Sequence, residues 1–236
     1  MLLFLTLFAP SLCGEVVCTY NAGTEWNPPA APDPATPEGG GWTLNNTTAG
    51  DVNFTWGGVS PDFPTGLNAW RVLDNTTTSS RFLYYSYALS AQQQADAAAY
   101  GWRLTCKFRL QDPVAGNAGN RATYMFFGNN VNTRYIAFFD ILPSGALEVN
   151  FQGTSGATVV LTTNLTEAAG YNTHEFVYDP VTARVQYRFN GEVMLTNYSG
   201  TTGTYNGVKW GTESSGGRGD SYWNSVAFEI NEPPPL

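Results

Sequence analysis

Residues Thr173 to Glu192 read THEFVYDPVTARVQYRFNGE, and the spacing of their apolar side chains decides the fold class. Phe176 and Tyr178 share one parity, Asp179-Pro180-Val181-Thr182 makes a reversal, and Val185, Tyr187 and Phe189 resume the alternation against Arg184, Gln186 and Arg188. Asn190-Gly191 supplies the positive-φ residues of a tight second turn, and Val193-Met194-Leu195 opens the next strand. This is a meander of antiparallel strands with one dry and one wet face.

Outward from this stretch the same pattern recurs. Trp102, Leu104, Cys106, Phe108 and Leu110 alternate with Arg103, Thr105, Lys107, Arg109 and Gln111. Further strands are expected at 69–74, 81–87, 122–127, 135–141, 146–152, 158–162, 207–210 and 222–230, separated by turns rich in Gly, Asn and Ser. One segment breaks the pattern: SAQQQADAAA at 90–99 predicts a short helix, with Ser90 as its N-cap and Gly101 as its stop. About a dozen strands with one helix and no βαβ alternation specify an all-β, two-sheet antiparallel sandwich of jelly-roll type.

Composition agrees. Of 236 residues only 13% are charged while 14% are aromatic, which suits short strands joined by tight turns. The net charge of -8 argues against nucleic acid and anionic membrane surfaces as partners, since both attract clustered Lys and Arg. Residues 1–14 begin with an apolar run too short to span a bilayer and read as a signal peptide, so a secreted or cell-surface protein with no membrane span in its mature form is expected. Asn-x-Ser/Thr triplets at Asn45, Asn46, Asn53, Asn75, Asn164 and Asn197 are candidate glycosylation sites. Residues 15–40 divide into a short strand and a Pro-rich arm, 41–231 form the sandwich, and 232–236 are a Pro-rich tail. Cys18 and Cys106 are a candidate disulfide, with a lone buried thiol as the alternative for Cys106.

From Gly41 onward the chain resembles the concanavalin A-like lectin/glucanase superfamily, and in particular its laminin G-like modules. The resemblance is carried by WRVLD at 70–74, LYYSY at 83–87, the central HEFVYDPVTARVQYRFNGE, and WGTESSGGRGDSYWNSVAFEI at 210–230. It implies two curved antiparallel sheets with glycan or protein binding on the concave face or rim loops, and it does not imply catalysis.

The catalytic Glu-x-Asp-x-x-Glu strand of the superfamily's glucanases is absent; Asp140, Glu148 and Glu229 read instead as outward strand residues. A polysaccharide lyase would need a base with a cationic neutraliser, and His174, Tyr187, Arg188 and Arg109 are the residues to supply one, although His174 reads as a solvent-facing edge residue. Carbohydrate binding needs aromatic platforms and planar polar groups. The candidates are Tyr84, Tyr85, Tyr87, Trp210, Tyr222 and Trp223 as platforms, with Arg103, Arg109, Asn150, Gln152, Gln186 and Arg188 on wet strand faces. No cofactor is indicated; the resemblance makes a rim Ca²⁺ conceivable at Asp74 with Asn75 or Asp220 with Asn224, without a dense acidic loop to hold it. Arg218-Gly219-Asp220 spells an adhesion tripeptide. The expected partner is therefore an extracellular glycan or glycoprotein. The alternative partner is another copy of the chain, joined in a fibre through the N-terminal arm.

Overall fold

The computed structural model describes residues 14–23, 29–35, 39–47, 54–62, 65–74, 79–111, 123–153, 157–215 and 219–233. It is an all-β sandwich of two antiparallel sheets. The first sheet runs β13 (Glu192–Tyr198), β12 (Arg184–Phe189), β11 (Asn172–Asp179), β6 (Trp102–Leu110), β16 (Gly219–Ile230), β4 (Leu67–Asp74), β3 (Phe54–Asp62). The second runs β10 (Thr158–Thr162), β9 (Leu147–Phe151), β8 (Thr133–Ile141), β7 (Thr123–Asn129), β15 (Asn206–Ser215), β5 (Ser79–Tyr87), β2 (Thr43–Asn46), with β14 (Thr201–Thr202) beside the start of β8. The predicted hairpin is present, with Phe176 opposite Tyr187 and Tyr178 opposite Val185.

Beside β16 lies β1 (Glu15–Asn21), which pairs with residues 225–230 while β4 pairs with 219–223. The strand expected to reach another copy is thus hydrogen-bonded within its own sheet. Its inward Tyr20 stacks on Trp210 with ring centroids 5.6 Å apart, and Trp42 Nε1 donates to the Thr19 carbonyl, fastening the segment after the Pro-rich stretch to the same strand. Residues 1–13 and 234–236, and Asn53 and Asn75, lie outside the described residues.

The helical segment is α1 (Ala91–Tyr100). Ser90 and Gln93 form a reciprocal capping box, and Gly101, at φ 89°, ends the helix where a Cβ would meet the Tyr178 carbonyl at 2.8 Å. A second helix not foreseen in the sequence, α2 (Leu165–Ala168), is a single turn whose N-cap is Asn164.

The core between the sheets is aromatic, with Trp42, Trp102, Trp210 and Trp223 all at 2% exposure or less. Three expectations are corrected by it. Tyr85, Trp210 and Trp223 are buried in this core and present no face to a ligand, because inward parity places them between the sheets. His174 shares the parity of Phe176 and is buried too, stacked on Phe108 at 4.4 Å. Cys18 and Cys106 are free and buried. Cys18 pairs with Phe228 of β16 and Cys106 with Val226 on the other side of that strand, so they stand two strand spacings apart, about 10 Å. That is beyond the roughly 7 Å Cα limit of a disulfide.

Candidate functional site

The sequence-derived binding residues that escape the core divide between the two outward faces. On the first sheet are Arg103, Arg109, Gln186, Arg188 and Tyr222; on the second are Tyr84, Asn150 and Gln152. Tyr87 is half-buried and turns inward, edge-on to Trp42. No single site gathers them.

On the first sheet the aromatic ring is already clasped. Arg109 holds Asp62 through both guanidinium arms, and Tyr171 donates its hydroxyl to the same carboxylate at 2.8 Å. Arg71 makes a second two-pronged pair with Asp220, at 3.0 and 2.8 Å. The two guanidinium carbons lie 4.0 Å (Arg109) and 5.4 Å (Arg71) from the centroid of the Tyr222 ring. Tyr222 and Arg109 are therefore a fastening between strands and are corrected as sugar contacts: both are at 8% exposure or less and their charges and faces are taken. Asp220 is 8% exposed and held by Arg71, Arg218 of the tripeptide lies outside the described residues, and Asn224 donates to the carbonyls of Gly23 and Asn68. Among the described residues no three His, Cys, Asp or Glu side chains converge as metal ligands would.

On the second sheet the outward face is unusual. Tyr84, Tyr124, Phe126 and Ile136 form a buried cluster separate from the main core, with Phe82, Phe138 and Tyr205 half-exposed around it. Lys209 rises through this face with its ammonium 4.0 Å from the Tyr205 ring centroid, 4.5 Å from Tyr84 and 5.0 Å from Phe126, and 3.6 Å from Glu213. Burial lowers its pKa, Glu213 raises it, and nearby Arg134 lowers it. Arg134 lies flat on Gly203, where a Cβ would fall 2.3 Å from its Nε, and donates to the Thr202 carbonyl at 3.0 Å. Its Nε is buried without a hydrogen-bond partner, and among the described residues no carboxylate pairs with it. A half-exposed guanidinium next to a second cation, beside half-exposed rings, is chemistry suited to a carboxylate-bearing sugar.

Arg134, Lys209 and Tyr205 were not anticipated from the sequence. The signal that could have found the face is TRYIAFFDI at 133–141, which is apolar on both parities where a strand with one solvated side should alternate. The same strand carries Asp140 directly opposite Glu148 of β9. Both have the outward parity of their strands and are only 9% and 8% exposed. The lyase constellation does not assemble. His174 Nδ1 lies 2.7 Å from the Tyr187 hydroxyl inside the core, while Arg109 and Arg188 are on the far side of the sheet.

Comparison with known proteins follows this geometry. The family described as the Vibrio cholerae sialidase lectin insertion matches residues 76–234, more than half of the chain. The chain belongs to this lectin-insertion family. Sialidases from two Vibrio cholerae O1 strains are each 28% identical over 214 residues, covering 89% of this chain and 24% of the sialidase. The chain thus spans about a quarter of the length of the curated relatives it matches. Among solved structures, the binding domain of botulinum neurotoxin DC in complex with rat synaptotagmin II superposes with a TM-score of 0.51 at 10% identity, covering 93% of this chain and 49% of that one. A protein of unknown function from Shewanella oneidensis MR-1 superposes with the same score at 11% identity, covering 93% and 90%. These likenesses show the sandwich fold. No helix among the described residues of this lectin-insertion member is long and apolar enough to cross a membrane.

Proposed function

We propose that this chain is a carbohydrate-binding module, without cleavage activity of its own, that works outside the cell and recognises acidic glycans on the outward face of its second sheet. The observation that carries the reading is its membership of the lectin-insertion family over residues 76–234. Sialidases act on glycans that end in an acidic sugar, and Arg134 is the group suited to that carboxylate: a planar donor fixed by Thr202 and Gly203, with a second cation nearby. Phe82, Phe138 and Tyr205 offer apolar edges for a pyranose ring. The sequon at Asn164, on an exposed position, agrees with an extracellular location.

The test is a glycan array followed by calorimetry on the wild-type chain and Arg134→Ala. Binding of sialylated over asialo glycans is expected, with a loss of about tenfold or more on removing the guanidinium. An empty array, wild-type affinity in the variant, or release of sugar from the glycans by the purified protein would each overturn the reading.

A further inference from the structure

The far end of the first sheet holds a depression that has no part in the face described above. The pairing of β12 with β13 slips twice: Val185 stands opposite Tyr198, but Tyr187 stands opposite Leu195. One residue of β12, Gln186, therefore faces two of β13, Thr196 and Asn197, and the extra residue is accommodated by Asn197 at φ 62°. The bulge splays the strands and opens a hollow of about 270 Å³ between them and the β11–β12 turn. Its apolar lining is the Val177 side chain, since Val185 touches it while its own side chain is buried in the core; the rest is polar, including Asp179, Arg184, Gln186 and Asn197.

Those polar groups are oriented before any ligand arrives. Asp179 accepts from Val181 N and Thr182 Oγ1, both at 2.9 Å, and these bonds, the Thr182 one first, hold its carboxyl below the ordinary range so that it stays ionised. Gln186 Oε1 accepts from Arg188 Nε at 2.7 Å, which fixes the amide and leaves its NH₂ to donate. Arg184 spends one nitrogen on the Ala183 carbonyl at 3.0 Å and keeps the others. The Asn197 side chain is exposed and brings a donor and an acceptor on one plane.

We propose that this bulge hollow is a second carbohydrate subsite, taking one neutral pyranose rather than an acidic sugar. A sugar ring offers vicinal hydroxyls, each both donor and acceptor, around a small apolar face. An ionised carboxylate, two planar amides and a guanidinium beside the Val177 methyls complement that pattern. The Asp179 charge repels a sugar carboxylate, which separates this subsite from Arg134 in ligand class as well as in position. The volume lies just under the range of about 300–1,000 Å³ typical of small-molecule sites, so it accepts a single ring, and affinity in the millimolar range is expected.

The test is a nuclear magnetic resonance titration of the isotope-labelled full chain with galactose, N-acetylglucosamine and glucose. The protein is made in a bacterial host so that the Asn197 sequon carries no glycan. Shifts confined to the 177–186 and 194–198 segments are expected for at least one of the three sugars. Asn197→Gly, which keeps the positive φ without strain, and Gln186→Ala should each weaken the effect about tenfold, while Arg134→Ala leaves it unchanged. The absence of saturable shifts in the wild type, shifts falling on the second sheet instead, or wild-type affinity in both variants would overturn the proposal. Because Arg134→Ala reports only on the acidic-glycan face, failure of one reading is separable from failure of the other.

Discussion

Asp62 and Arg109, 47 residues apart in the chain, close a two-pronged ion pair across the outward face of the first sheet, with Tyr171 bonded to the same carboxylate. One residue ends the edge strand β3, the other lies in central β6, and both are less than a tenth exposed. Removing one partner strands the other charge in a site that water barely reaches. Asp62→Ala should cost about 3–5 kcal/mol in urea unfolding. The double variant Asp62→Ala with Arg109→Met should recover part of that loss, and a single-variant cost below about 1 kcal/mol would show that the pair is solvated.

His174 sets the behaviour in acid. Burial lowers its pKa from the ordinary 6.5 to about 3, and its Nδ1 is engaged with Tyr187. The folded state therefore binds fewer protons than the unfolded one between these two values. The stabilising contribution is complete above pH 6.5 and is lost as pH falls toward 3, at up to about 1.4 kcal/mol per pH unit. Denaturation midpoints at pH 7, 6, 5 and 4 should fall more steeply for the wild type than for His174→Gln. Parallel curves would mean that the imidazole is already charged in the fold.

Cys18 and Cys106 should behave as inert thiols. Both are buried, and desolvation raises their pKa values, so neither offers a thiolate at neutral pH. Alkylation followed by mass spectrometry should label them only after unfolding, and a reductant should leave the melting temperature unchanged. A mass consistent with an oxidised Cys18–Cys106 link would contradict the register of β1 and β6.

Gly40 ties the Pro-rich stretch to the sandwich. At φ 71° its missing Cβ would fall 1.5 Å from the Thr19 carbonyl oxygen and 2.6 Å from Trp42 Nε1. Gly40→Ala should break the Trp42–Thr19 hydrogen bond, cost about 2 kcal/mol or more, and expose residues upstream of Trp42 to limited proteolysis. Unchanged cleavage kinetics would show that the segment is held by other contacts.

Much of the architecture was legible in the sequence because alternation is local. The strands of HEFVYDPVTARVQYRFNGE, the alternating run from Trp102 to Leu110 and the Ser90 cap each need only their own neighbours to be read, and each has the expected form here. The binding residues were less legible. Tyr85 and Trp210 carry the same chemistry as an exposed platform, and whether a ring faces ligand or core depends on which parity the opposite sheet covers. Arg134 escaped notice, and Asn197 was read only as a glycosylation site, for a related reason: one is distinguished by a glycine 69 positions later in the chain, the other by a bulge against β12.

The amino-acid order by itself determined an antiparallel all-β chain with one capped helix, since apolar periodicity and turn residues act over a few positions. Tertiary structure alone decided that the first strand closes its own sheet, that His174 lies inside, that two arginines clasp Tyr222, and that Lys209 and Arg134 gather on a face rich in rings. Those outcomes depend on register between strands far apart in sequence, where a one-residue slip exchanges inside for outside, and no local pattern encodes which partner strand supplies the cover.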